Sequence, residues 1–100
     1  MPNRVLQTVE VEFTAEFKRN IRQLSKKYRH IKSDVQPVIN ELESGETPGN
    51  RIQRLKYIVF KVRIRNTDIQ KGKSSGYRMI YYLKRKTKVI LVTIYSKTEQ

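Results

Sequence analysis

The stretch Ile58-Val59-Phe60-Lys61-Val62-Arg63-Ile64-Arg65 decides how this chain folds. Apolar and basic side chains alternate along it, a period that only an extended strand sorts onto two faces. Phe60, Val62 and Ile64 make one face apolar, while Lys61, Arg63 and Arg65 form a ladder of cations on the other. Forward of it, residues 77–83 and 89–95 are rich in β-branched and aromatic side chains and predict two more strands. Lys84-Arg85-Lys86-Thr87-Lys88 between them is too charged for a core and reads as a hairpin turn. Residues 71–76, Lys-Gly-Lys-Ser-Ser-Gly, read as a flexible basic loop.

Backward from Ile58 the period changes. Residues 45–50, Gly-Glu-Thr-Pro-Gly-Asn, carry turn chemistry and predict a loop. Val35, Val38, Ile39 and Leu42 lie on one helical stripe, closed by Gly45 as a left-handed C-terminal residue. Ser33 and Gln36 have capping-box spacing, which places Pro37 in the first turn of that helix. Phe17, Ile21, Leu24 and Tyr28 predict an earlier helix with Thr14 as its N-cap. Before it, Val9-Glu10-Val11-Glu12-Phe13 alternates like a half-buried strand. The expected fold is α+β, in the order β-α-α-β-β-β: a helical hairpin on one face of a mostly antiparallel sheet, with residues 1–100 as one domain.

Charge narrows the partners. The 100 residues carry 22 Lys and Arg against 9 Asp and Glu, a net charge of +13. Residues 1–50 contribute +1 and residues 51–100 contribute +12. A field of that size suits a polyanion, although a basic run is also what an ordinary solvated face looks like. With 37% hydrophobic residues the chain can bury one small core and is too apolar for a disordered basic tail. Cysteine is absent and His30 is the lone histidine, which excludes disulfides, zinc-thiolate sites and histidine clusters. Residues 1–13 lack the apolar centre of a signal peptide, and no run is long enough for a membrane span. A soluble, cytoplasmic protein is expected.

Three groups of residues carry candidate chemistry. The ladder Lys61, Arg63 and Arg65 is a track for phosphates, or alternatively a charged guard on an edge strand. Arg78, after Ser74-Ser75-Gly76-Tyr77, lies beside that ladder if the two strands pair, where its guanidinium can fork onto a phosphate. Lys97, after Tyr95-Ser96, is a candidate proton donor or a solvated terminal lysine. Lys71 and Lys73 extend the field, and Tyr77 and Tyr95 offer rings for bases, while tyrosines on strands also serve as half-buried packing. No nucleophilic triad, catalytic carboxylate pair or Gly-rich phosphate loop is present, and His30 is assigned no role.

The strand at 60–65, the segment Ser74-Ser75-Gly76-Tyr77-Arg78-Met79-Ile80-Tyr81 and the closing Ile94-Tyr95-Ser96-Lys97, in this order, resemble the RelE/ParE toxin superfamily over essentially the whole chain. The resemblance implies the toxin of a type II toxin–antitoxin system. In the RelE branch it implies a ribosome-dependent endoribonuclease that cleaves mRNA in the A site without metal or cofactor, by attack of the RNA 2′-hydroxyl. By position, Lys61 and Arg63 match the cations that hold phosphate or help activate the hydroxyl, and Arg78 matches the arginine that stabilises transition-state charge. Lys97 falls at the proton donor, an arginine in the best-known RelE pattern. Arg65, Lys71, Lys73, Tyr77 and Tyr95 are expected to bind RNA.

The implied partners are a cognate antitoxin and mRNA on the ribosome, with no membrane and no metal. The chain departs from the pattern in an insertion at 66–73 and in ending at Gln100, where many relatives continue into a segment with a functional tyrosine. On that comparison a shortened or inactive member is one expectation. A ParE-like gyrase inhibitor and a non-catalytic nucleic-acid-binding domain are the alternatives.

Overall fold

A computed structural model describes residues 8–69 and 76–97. The elements run β1 (Glu10–Phe13), α1 (Ala15–Lys27), α2 (Ile31–Glu43), β2 (Asn50–Arg51), β3 (Ile58–Ile64), β4 (Gly76–Arg85) and β5 (Lys88–Lys97). The five strands form one sheet in the order β1-β5-β4-β3-β2, with β1 parallel to β5 and every other pair antiparallel. The α+β architecture with a helical hairpin on the sheet is as expected. The short β2 was not: Asn50, the last residue read as loop, and Arg51 pair with Lys61 and Phe60. Among the described residues no helix is long and apolar enough to cross a membrane.

Helix α1 starts where the sequence indicated, because Thr14 works in two directions. Its Oγ1 accepts from the Phe17 N–H at 2.9 Å, and its hydroxyl donates to the Val92 carbonyl at 2.7 Å, pinning the helix start to β5. Asn20, two turns on, covers the edge of β5 that β1 is too short to reach. Its Oδ1 accepts from the Ile94 N–H and the Thr93 hydroxyl.

Helix α2 begins at Ile31, two residues before the expected cap. Ser33 therefore sits inside it, donating to the His30 carbonyl, and Pro37 falls beyond the first turn. The start is set from 38 residues away: the Asp68 carboxylate accepts from the His30 N–H at 2.9 Å. An acidic group at a helix N-terminus satisfies an otherwise orphaned donor and suits the dipole, a role the local sequence did not reveal. Pro37 lies on the exposed side, where water can serve the Ser33 carbonyl that it leaves without a helical donor. The far end follows expectation. Gly45, at φ +97°, donates to the Leu42 carbonyl, and the Glu46 N–H donates to Glu41, the paired bonds of a Schellman end.

The core lies between the helices and one sheet face. Ile31, Val35 and Leu42 of α2 and Phe17 of α1 meet Val62, Ile64, Tyr77, Met79, Tyr81, Leu91 and Ile94. Phe60 stacks on Tyr81 with centroids 5.3 Å apart. Among the described residues the opposite face of the sheet carries no helix, and there the alternation of β3 and β4 places Lys61, Arg63 and Arg78 together with Val59, Ile80 and Tyr82.

Candidate phosphate site on the open sheet face

The β3–β4 register sets Arg63 directly across from Arg78, and the β4–β5 register sets Arg78 across from Tyr95. Opposed residues share a face, so Lys61 and Arg63 lie beside Arg78, with Lys97 one diagonal step away on β5. The four side chains assigned to catalysis line one concavity of about 290 Å³ together with Asn50, Arg51 and Ile52. Five of these seven residues are basic, and among the described residues none of the lining side chains is a carboxylate. Like charges opposed across strands oppose folding. A polyanion placed there would relieve that repulsion.

Arg78 differs from its neighbours. It is only 5% exposed, whereas Lys61, Arg63 and Lys97 are exposed. Its guanidinium donates to the Tyr77 carbonyl at 3.3 Å, and this is not its sole interaction. Packing restricts this arginine to few orientations, so it forms the floor of the concavity while the exposed Lys61, Arg63 and Lys97 form its rim.

Two glycines bring the walls together. Gly76 opens β4 at φ +137°, and a Cβ there would stand 2.6 Å from the Ile64 carbonyl oxygen. Only glycine allows the two backbones to approach so closely just before Arg78. Gly49 plays the same part at φ +95°, where a Cβ would lie 2.5 Å from the Lys61 carbonyl oxygen. It brings Asn50, Arg51 and Ile52 against β3. These three residues were missed by sequence reasoning, and the Pro48-Gly49 pair before them was the one local sign of a tight turn onto a strand.

The remaining candidates divide. Tyr95 is 39% exposed on the open face beside Arg78, and Arg65 is exposed one residue past the end of β3. Lys71 and Lys73 lie outside the described residues, as do Ser74, Ser75 and the chain end at Gln100. Tyr77 requires correction as an RNA-binding residue. It has no exposed surface, its ring meets Tyr28 edge-on at 5.8 Å, and burial pushes its hydroxyl well above the usual phenol range. The reason is register: Arg78 faces out, so its neighbour Tyr77 must face the helices.

The edge-guard reading of the cationic ladder also meets the topology. Strand β3 is next to last in the sheet, and the two-residue β2 covers only part of its outer side. Edge protection does not account for Arg78, which lies on the interior strand β4 and completes the cluster.

The segment that follows β3 is tied down where it is described. The Thr67 N–H and hydroxyl both donate to Asp34, at 3.0 and 2.8 Å, and Asp68 meets the His30 ring at 2.6 Å. These two carboxylates hold residues 66–69 to the start of α2, behind the sheet relative to the open face. Among the described residues no group of three or more His, Cys, Asp or Glu side chains is placed to hold a metal. No protein-family model, curated protein or solved structure matches the chain.

Proposed function

We propose that this protein is a RelE-like toxin, an endoribonuclease that cleaves mRNA in the ribosomal A site. The carrying observation is the gathering of Lys61, Arg63, Arg78 and Lys97 around one concavity lined by no described carboxylate. Such a site is built for a phosphate that gains negative charge as it reacts. In the proposed reaction the RNA 2′-oxygen attacks the adjacent phosphorus and its proton leaves to solvent. The bond from phosphorus to the 5′-oxygen breaks, leaving a 2′,3′-cyclic phosphate, and the departing oxygen takes a proton from the Lys97 ammonium. Arg78, held by packing, offers fixed donors to the equatorial oxygens, while Lys61 and Arg63 hold the strand. Preorganised charge of this kind is commonly the largest single contribution to catalysis.

The ribosome enters through orientation. In-line placement of a 2′-oxygen contributes about 7 kcal/mol or more, and an open, shallow cationic face does little to bend a flexible strand. The A site supplies a bent path for the message. A cognate antitoxin with an acidic segment would mask the same face.

Primer extension on translating ribosomes and on the same RNA free in solution tests this reading, with the wild-type protein and the Arg78→Ala and Lys97→Ala variants. Cuts at A-site codons that vanish in folded Arg78→Ala protein are expected, with free RNA left whole. Efficient cutting of free RNA would remove the ribosome from the mechanism, and absence of any cut would leave binding without chemistry.

A further inference from the structure

The geometry points to a second subsite on the same face, a base-stacking cleft formed by Tyr57 and Tyr82 that holds a nucleotide of a single-stranded RNA whose phosphate lies at Arg78. This inference rests on reading the open face as an RNA track. Alternation along β4 puts Arg78, Ile80 and Tyr82 in one outward row, and along β3 it puts Arg63, Lys61 and Val59 in another. Register joins the rows as Arg63 with Arg78, Lys61 with Ile80, and Val59 with Tyr82. The face thus passes from cations to aromatic rings within four residues, roughly 13 Å at the rise of a strand. A stacked nucleic-acid strand covers that span in about four nucleotides, and a splayed one in fewer.

The far end is a cleft of about 360 Å³ lined by Tyr57, Val59 and Tyr82. Tyr57 is 61% exposed, the most open of the large apolar side chains among the described residues, and its ring lies 6.1 Å from that of Tyr82 at a tilt of 57°. The tilt leaves no slot between the rings for a base to enter, so the base packs against their open faces over Val59. Exposed Tyr57 and half-buried Tyr82 have little to do for the core, which is on the other side of the sheet.

Charge identifies the occupant. Lys56 stands over the Tyr57 ring at 6.0 Å, and exposed Lys84 and Arg85 continue β4 beyond Tyr82. Glu10 and Glu12, on the far edge strand β1, are both engaged by Lys88, at 3.7 and 3.0 Å. Rings for bases set among cations for phosphates, continuous with a phosphate site, are the chemistry of a single-stranded nucleic acid. An acidic peptide would match the lysines but would leave the rings without flat partners.

The test uses a ten-nucleotide RNA with 2′-O-methyl riboses, which binds but cannot be cleaved by 2′-oxygen attack, carrying one fluorescent 2-aminopurine at successive positions. With wild-type protein, quenching is expected at one position and affinity falls when the RNA is cut to about three nucleotides. Tyr57→Ala, at an exposed position, should weaken binding by about tenfold and abolish that quenching without changing the salt dependence, while Tyr57→Phe retains both. Lys61→Ala with Arg63→Ala should instead flatten the salt dependence and keep the quenching. Undiminished affinity and quenching in Tyr57→Ala would overturn the stacking subsite while the phosphate site stands. Failure of the wild-type protein to bind the RNA at any salt would overturn both.

Discussion

The Tyr81 hydroxyl donates to the Pro48 carbonyl at 2.5 Å, joining the middle of β4 to the loop that carries Asn50 and Arg51 to the cationic concavity. The ring has no exposed surface, and burial pushes the hydroxyl well above the usual phenol range, so it remains a donor at any ordinary pH. Tyr81→Phe should preserve the fold and lower stability by about 1 kcal/mol, the worth of one such bond. RNA affinity should fall with it, because one wall of the concavity loosens. Thermal melts and RNA titrations check both effects, and an unaltered melting temperature would show that the loop is held elsewhere.

Gly45 and Gly49 separate strain from crowding. Both have φ near the same positive value, +97° and +95°, but a Cβ on Gly45 meets nothing within 4 Å. Gly45→Ala should therefore cost only the conformational penalty, about 1 kcal/mol. Gly49→Ala adds a Cβ 2.5 Å from the Lys61 carbonyl oxygen and 2.8 Å from Val62 Cβ, so the backbone itself must move. We expect a loss of about 3 kcal/mol for it, with weaker RNA binding, measured by denaturant unfolding of the two variants side by side. Equal losses would mean that the loop swings clear of β3 easily.

Acid should release the segment that follows β3. The Asp68 carboxyl sits below the ordinary aspartate range because the His30 N–H and then the His30 ring hydrogen-bond to it. A carboxylate with a depressed folded-state pKa stabilises the protein above its unfolded value, and that stability is lost as pH falls through the folded value. The contribution of Asp68 should thus be fully present and independent of pH near neutrality, and should be lost as pH falls through and below the ordinary aspartate range. Asp68→Asn should lose this part of the acid dependence and expose residues 66–69 to faster amide exchange. An identical acid profile for the two proteins would place the sensitivity in other carboxylates, such as Glu12, which Lys88 also holds low.

Salt dependence should count the phosphate contacts. For a single strand each neutralised phosphate contributes about 0.7 to the slope of log affinity against log salt. Lys61→Ala and Arg63→Ala should each reduce that slope by about this amount and weaken binding evenly across sequences. Binding isotherms at several salt concentrations decide it. A slope unchanged by either substitution would place the RNA away from β3.

The helices, the long strands and the outward row of cations were legible in the chain itself, because alternation and helical spacing are local properties. Thr14, the Gly45 end and the row Lys61, Arg63 needed no distant partner to be read. Where the reading failed, the deciding contact came from far along the chain. Asp68 rather than Ser33 sets the start of α2, since a carboxylate satisfies the His30 N–H from 38 residues away. Tyr77 failed for the same reason, whereas Arg78 stands beside the ladder as expected: the alternation of β4 is visible, but which parity faces the helices is settled only by pairing with β3 and β5. The sequence by itself determined that cations would stand in a row. Only the tertiary structure decided that Lys97 and Arg51 would join them around a buried Arg78, because strand register and two close backbone approaches, at Gly49 and Gly76, bring together residues that no local periodicity connects.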